Sequence, residues 1–479
     1  MNASSAECPL EFIGRTLSTE HMTLYKESAQ PAEKKLLFHG VRGSAVKILN
    51  RVDRADAYLD KLLEAELRSD EINDLDKSLL TEIVNGVLRW QMKLDWVLNG
   101  FFHGNFTKAE VTVKNALRAA LYQIMFLDKI PHNAAVNEAV EFVKRIRGDK
   151  AGNLVNAVVR NIIRNLEGIH YPDVTIDAAQ YLAVMYSHPL WAVRRWMNRF
   201  GFAETEKMLQ ANNERPTLSL RINTAKIMVE KFLELLTNQH VSFERSKYLP
   251  HFVRTSSLSN ISQSELFRQG FFSVQDESAG IACQLLDVKH GERVIDLCAA
   301  PGGKTTFVAE TLHNSGEIIA VDKYSTRLNL VRASCERLGI TNVKTVAADG
   351  AEFVTEQADK VLVDAPCTGL GVLAKKPDVK LKRESEDIHD LVRLQNRLVE
   401  NAASLVKPGG VLVYSTCTME PEENFGVIRT LLEHHPEFEI DRAGQYVQPS
   451  LVSPDGFVET FTHRHAMDGS FSIRLRKLS

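Results

Sequence analysis

From residue 293 onward the chain repeats one pattern: a short apolar run with an acid at or just past its end, then a polar or helical stretch. The runs are Arg293–Leu297, Glu317–Asp322, Val343–Ala348 and Lys360–Cys367, and the acids are Asp296, Asp322, Asp349 and Asp364. A fifth run, Val411–Thr416, ends at Cys417, and Phe471–Leu475 offers a last strand. Near-continuous apolarity marks strands covered on both faces. Such strands alternating with helices predict a mostly parallel, doubly wound α/β sheet, whose ligands sit at the carboxyl ends of the strands. All four acids are therefore expected along one edge.

The stretch Glu292–Thr306, ERVIDLCAAPGGKTT, reads as a strand, a tight loop and the start of a helix opened by Gly302-Gly303. Glycines there let backbone N–H groups approach a nucleotide or its relatives. A triphosphate-cradling P-loop requires a glycine five positions before Gly303, and that position is Cys298. Lys360–Asp364 alone would pass for the second half of an ATPase site. The competing reading is a cofactor that carries adenosine without a triphosphate. Asp322 follows Asp296 by about 25 residues, close to the spacing at which a carboxylate accepts bonds from ribose hydroxyls. A row of acids suits hydroxyls and amines better than phosphates.

The chain of 479 residues predicts roughly three domains, and 44% hydrophobic residues suffice for buried cores. It has no run of 18 apolar residues, so no helical membrane span is expected. The first 35 residues lack an apolar centre behind a basic start and are expected to be a poorly ordered extension without a secretory signal, with Met22 an alternative start. The six cysteines (Cys8, Cys283, Cys298, Cys335, Cys367, Cys417) form no C-x-x-C pair and read as cytosolic thiols, and no metal site is expected. A net charge of −3 is mild evidence against a nucleic-acid binder. Basic residues nonetheless concentrate in Lys144–Arg164 and Lys375–Arg383, as solvated faces or as phosphate contacts.

Leu36–Leu166 is almost wholly helical in pattern, with apolar residues at three-four spacing such as Ala45, Ile48, Leu49 and Ile83, Val84, Val87, Leu88. This predicts a bundle of five or six helices. Arg118, Asn137, Arg145, Asn156 and Arg160 are side chains that a helical RNA binder would display, and equally ordinary surface or capping residues. The segments ALRAALYQIMFLDKIPHNAAVNEAVEFVKR and AGNLVNAVVRNIIR resemble the NusB-like helical domain, a likeness that implies binding of ribosomal RNA. Beyond it, His170–Pro189 reads as a linker and Trp191–Gln210 as one helix. Leu218–Ile222 and Val241–Phe243 read as short strands around a helix Lys226–Leu236, a small α+β unit.

Cys367 and Cys417 each lie just past the end of a buried strand, and consecutive strands are usually neighbours, so both thiols are expected to face one cleft at the cofactor edge. Carbon 5 of cytosine is a poor nucleophile; a thiolate that adds to carbon 6 makes it enamine-like and able to attack an electrophilic methyl group. An acid near ring nitrogen 3 stabilises the adduct, and a base must then remove the proton at carbon 5. The motifs DLCAAPGGKTT, VDK, DAPCTGLGVL and YSTCTMEPEEN resemble those of the RNA 5-methylcytosine methyltransferases. Joined to the NusB-like segment, they resemble the RsmB (Fmu/Sun) family acting on 16S ribosomal RNA. The resemblance implies S-adenosylmethionine as cofactor and a Rossmann-like methyltransferase domain. It implies Cys417 as nucleophile, Cys367 as the cysteine that assists product release, Asp364 on the cytosine edge and Lys304 in the active site. Cofactor positions are implied at Cys298, Ala299, Ala300, Pro301, Gly302, Gly303, Lys304, Asp322, Asp349 and Asp364. Lys375-Lys376 and Leu381 stand where the family often has an arginine pair and a tryptophan, and Ser470 stands where an aromatic is usual.

The expected domains are 1–35 (extension), 36–170 (NusB-like), 171–274 (linker helix and small α+β domain) and 275–479 (methyltransferase). A cytoplasmic monomer acting on 16S rRNA, without membrane or metal, is the expected setting. The other classes weighed are a P-loop ATPase and a non-catalytic ribosome-assembly or antitermination factor.

Overall fold

The computed structural model describes residues 40–54, 59–68, 73–256 and 261–479. The expected N-terminal extension, with Cys8 and Met22, lies outside them. The fold divides into two compact units, one reaching to Val84 and including Phe101–Arg164, the other formed by Asn85–Gly100 and Asn165–Ser479.

The first unit is helical: α1 (Val41–Arg54), α2 (Leu59–Leu67), the start of α3 (Asp74–Phe101), α4 (Val111–Phe126), α5 (His132–Arg147) and α6 (Asp149–Arg164). The apolar stripes read from the sequence form its core, with Ala45, Ile48, Leu49, Ile83, Val84, Leu117, Val155 and Val159 all buried. Arg118 is not a displayed RNA contact. It is buried, and its Nη1 donates to Asp53 Oδ2 (3.0 Å) and Asn115 Oδ1 (2.9 Å), so it braces α1 against α4. Asn137, Arg145 and Arg160 are exposed, and Asn156 is half-buried and accepts from Arg160 Nε.

In the second unit the expected linker holds a helix, α7 (Ala178–Met185), and the expected single helix is two, α8 (Leu190–Phe200) and α9 (Phe202–Asn213). Gly201 separates them with φ +77°, a left-handed backbone that the helical periodicity on either side conceals. The small unit is a four-stranded sheet in the order β2-β3-β1-β4, built from β1 (Leu218–Ile222), β2 (Glu244–Arg245), β3 (Phe252–Thr255) and β4 (Phe272–Val274). Its helices are α10 (Val229–Asn238) and α11 (Glu265–Arg268). Val241–Phe243 is not a strand. The pairing lies in runs of two to five residues, too short for alternation to show.

After α12 (Glu277–Gln284) come β5 (Arg293–Asp296), α13 (Gly303–Thr311), β6 (Glu317–Asp322), α14 (Ser325–Leu338), β7 (Val343–Ala347) and β8 (Ala358–Asp364). Then follow α15 (Val379–Lys382), α16 (Glu386–Leu405), β9 (Val406–Thr416), α17 (Phe425–His434), β10 (Phe438–Ile440), β11 (Val458–Thr460), α18 (Thr462–His465) and β12 (Ser470–Lys477). The sheet order is β10-β12-β9-β8-β5-β6-β7, with β11 also on β12. Strands β5 to β9 are parallel, and β12 returns antiparallel to β9. The chain leaves β5 toward β6 and later returns to β8 on the opposite side. The ends of β5 and β8 therefore bound the crevice where such sheets bind ligands. Lys407–Gly410, which breaks the helix as expected, already belongs to β9, where the pairing with β8 slips between Ala358 and Lys360. Among the described residues no helix is long and apolar enough to cross a membrane.

Candidate active site

The parallel register of β8 and β9 sets Asp364 beside Ser415, so the chain emerges from both strands at the same level. Cys367 and Cys417 consequently meet, with their Sγ atoms 3.3 Å apart, and the Cys417 N–H also donates to Cys367 Sγ at 3.3 Å. Both thiols are free and partly accessible. The thiol–thiol hydrogen bond splits their acidities: it holds Cys417 below the usual thiol range, and together with burial it pushes Cys367 well above. Burial and Asp364 oppose the drop at Cys417, while Lys304 favours it.

Lys304 stands in the first turn of α13 and reaches Asp364, Nζ to Oδ2 2.6 Å. Burial works against its charge, but the facing carboxylate outweighs that and holds the ammonium above its ordinary value. Asp364 Oδ1 accepts from Ser415 Oγ at 2.9 Å, so the carboxylate is fixed from both sides.

The loops that carry the thiols are held from beneath. Glu423, fully buried, accepts from Thr368 N (2.8 Å), Thr368 Oγ1 (2.5 Å) and Gln395 Nε2 (3.0 Å), which pins the Cys367 loop. Arg383 Nε donates to Thr368 O at 3.0 Å. Asn424 accepts from Thr416 Oγ1 (2.6 Å) and donates to Thr418 O (3.1 Å), closing the turn around Cys417. Behind that turn, Trp196 Nε1 and Arg195 Nε of α8 donate to the two oxygens of Glu420 at 2.9 and 2.8 Å. Gly371 locks the two loops together: its N–H donates to Cys417 O (3.0 Å) and its carbonyl accepts from Gly469 N (2.8 Å). A β-carbon at residue 371 would stand 1.8 Å from Gly469 O and 2.9 Å from Cys417 O. Gly371→Ala is therefore expected to cost about 2 kcal/mol or more in stability and to displace Cys417. Thermal melting and methyl transfer measured together check this, with activity at a temperature where the variant is still folded falling well below wild type.

The glycine loop closes the other side of the crevice. Ala299 N donates to Val321 O (2.9 Å), and Ala300 N to Asp322 Oδ2 (3.3 Å). Arg327 joins Ala300 O (2.6 Å) and Asp322 (3.2 Å). Ala299, Ala300 and Gly302 are buried, Cys298 and Gly303 half-buried and Pro301 exposed. Burial raises the Cys298 thiol well above its usual range and suits it to packing rather than nucleophilic work. Asp349, past β7, accepts from Ala351 N (3.0 Å), which lowers its carboxyl, and pairs with Lys323 (3.1 Å). Asp296 ends β5 at the same edge. Thr305 Oγ1 donates to its Oδ2 at 2.7 Å, while Oδ1 is buried with no well-placed donor among the described residues, and burial raises this carboxyl to about 7. An unmet buried acceptor among glycines and acids fits a ligand bearing amines and hydroxyls.

The model of the family described as 16S rRNA methyltransferase RsmB/F matches residues 283–476. The NusB family matches 39–164, and an RsmF/B-like ferredoxin-like domain matches 188–261. The probable ribosomal RNA small subunit methyltransferase B of Bacillus subtilis is 36% identical over 445 residues, covering 91% of this chain and 98% of that protein. The chain belongs to the RsmB/F family of 16S rRNA methyltransferases. The ribosomal RNA small subunit methyltransferase B of Cronobacter sakazakii is 32% identical, covering 85% of this chain and 92% of its own. The crystal structure of PH0851 superposes with a TM-score of 0.79 at 29% identity, over 94% of this chain and 100% of that one. That of NSun6 from Pyrococcus horikoshii with SFG gives 0.55 at 26% identity, over 60% and 97%. As in other RsmB/F methyltransferases the cofactor is S-adenosylmethionine, and the mixed architecture, a helical NusB region, a ferredoxin-like sheet and a Rossmann-like sheet, is that of the family.

The basic segment Lys375–Arg383 departs from the sequence reading. Lys375 pairs with Asp276 and with Asp468 (3.1 Å), Lys382 pairs with Asp378 (3.3 Å), and Arg383 is spent on the Cys367 loop. Lys380 is buried, donating to Arg89 O at 2.7 Å, and burial pulls its ammonium well below the usual range. Lys375, Lys380 and Arg383 are thus engaged within the fold, while Lys382 is exposed.

Proposed function

We propose that this methyltransferase modifies carbon 5 of one cytosine in 16S rRNA by way of a covalent bond between Cys417 Sγ and carbon 6 of the base. The observation that carries the reading is the 3.3 Å contact of two thiols with opposite protonation tendencies at the cofactor edge. The Cys417 thiolate adds to carbon 6, and the electron pair of the 5,6 double bond moves into the ring. Asp364, held by Lys304 and Ser415, faces the ring nitrogen 3 edge and stabilises the adduct. S-adenosylmethionine supplies an electrophilic methyl group to carbon 5. It is seated by Cys298, Ala299, Ala300, Pro301, Gly302, Gly303, Lys304, Asp322, Asp349 and Asp364. A base at the thiol edge then takes the proton of carbon 5, the electrons of that C–H bond restore the double bond, and the C6–S bond breaks with Cys417 leaving as thiolate. Cys367 assists this release by donating to the departing sulfur.

A base within a helix cannot reach a thiol in a cleft, so the target cytosine is flipped out. Residues 36–170 serve as the RNA-binding module, 171–274 as the linker and small α+β domain, and 275–479 as the catalytic domain. Bisulfite sequencing of 16S rRNA from cells with and without the gene tests the assignment. One cytosine is expected to lose protection when the gene is removed. An unchanged protection pattern would refute carbon 5 of cytosine as the target.

A further inference from the structure

A buried polar cluster that the thiol chemistry leaves unused links the ferredoxin-like sheet to the glycine loop. At its centre is Arg221 of β1, wholly buried. Its Nε and Nη2 donate to the two oxygens of Glu310 (3.1 and 2.8 Å), and Nη2 also donates to Thr306 Oγ1 (3.0 Å). Its Nη1 donates to Gly303 O (2.7 Å) and to Gln275 Oε1 (2.5 Å). A guanidinium can only donate, so it fixes which end of the Gln275 amide is oxygen. Gln275 Nε2 therefore points the other way. It is buried, with 7% of the residue exposed, and has no acceptor among the described residues. It lies beside the glycine loop, 3.5 Å from where a β-carbon on Gly303 would stand.

Buried donors without acceptors are rare and call for an explanation. This one adjoins the first turn of α13, a nine-residue helix whose N-terminal end favours negative charge. Beside the same turn, Asp296 Oδ1 is a buried acceptor without a well-placed donor among the described residues, its other oxygen held by Thr305. An unmet donor and an unmet acceptor about one helical turn match the carboxylate and ammonium of an α-amino acid, which is one end of S-adenosylmethionine.

We propose that Gln275 is a further cofactor-binding residue, its Nε2 donating to the carboxylate of the cofactor's amino-acid end, with Arg221 as the positioning residue that orients the amide. The inference rests on the cofactor's seat at the glycine loop, and two probes separate its failure from the failure of that seat. Calorimetric titration uses S-adenosylhomocysteine, which has the amino-acid end, and 5′-methylthioadenosine, which lacks it. Gln275→Met is expected to weaken S-adenosylhomocysteine binding about tenfold or more, in line with the loss of one hydrogen bond to a charged group, and to leave methylthioadenosine binding unchanged. Arg221→Lys, which keeps the charge but not the forked geometry, is expected to show the same selectivity. Asp322→Ala is expected to weaken both probes. If Gln275→Met binds both probes as wild type, or loses both equally, the proposal is overturned; methylthioadenosine binding by the variant itself reports an intact pocket. If Asp322→Ala changes neither probe, the seat is wrong and the proposal falls with it.

Discussion

Cys417→Ala is expected to lower methyl transfer to 16S rRNA by at least about 10⁴-fold while the affinity for S-adenosylhomocysteine is retained. The size follows from the chemistry: without a nucleophile at carbon 6, carbon 5 keeps its aromatic electron distribution, and removing a covalent catalyst costs on the order of 5 kcal/mol of transition-state stabilisation. Cofactor binding should survive because Asp322, Asp349 and the Cys298–Gly303 loop make their contacts with β6, α14, Lys323 and Ala351 rather than with Cys417. Labelled methyl transfer and calorimetry on the same preparation read the two quantities. A variant that still transfers methyl groups at a tenth of the wild-type rate would remove Cys417 from the role of nucleophile.

Cys367→Ala has the opposite outcome at the level of the complex: a covalent protein–RNA adduct that survives a denaturing gel and accumulates with incubation. The thiol that hydrogen-bonds to the departing sulfur is gone, so release is the step that fails. The same substitution removes the contact that lowers the Cys417 thiol, leaving burial and Asp364 to raise it. Adduct formation near neutral pH should therefore be slower than wild type and recover as pH rises, because more Cys417 is then thiolate. An adduct that forms faster at lower pH, or fails to form at any pH, would contradict the division of labour between the two sulfurs.

Much of the catalytic sheet was legible because its central strands β5, β6, β8 and β9 are largely buried. Their apolar runs read without ambiguity, and consecutive parallel strands put Cys367 and Cys417 side by side. The small sheet was harder, since its pairing is carried by runs as short as Glu244–Arg245. Gly201 split an expected helix with a left-handed backbone that amphipathic spacing does not report. Arg118, Lys375 and Lys380 read as surface cations because a sequence lists charges without the carboxylates and carbonyls that meet them from distant segments. Arg221 and Gln275 were missed for the same reason: Arg221 meets Gln275, Gly303 and Glu310, all of them more than fifty residues further along the chain. A lone arginine in the short strand LSLRI, unexposed in a sheet, was the one available hint.

The engagement of Lys375, Lys380 and Arg383 within the fold has a consequence for how tightly this enzyme grips RNA in different buffers. Each phosphate neutralised by a protein cation frees bound counterions and steepens the dependence of affinity on ionic strength by about 0.7 to 0.9 in logarithmic slope. Cations already neutralised within the fold free none. The measured slope should thus be shallower than a tally of basic residues in this segment implies, and charge-reversing exposed residues such as Arg145 or Arg160 should flatten it further.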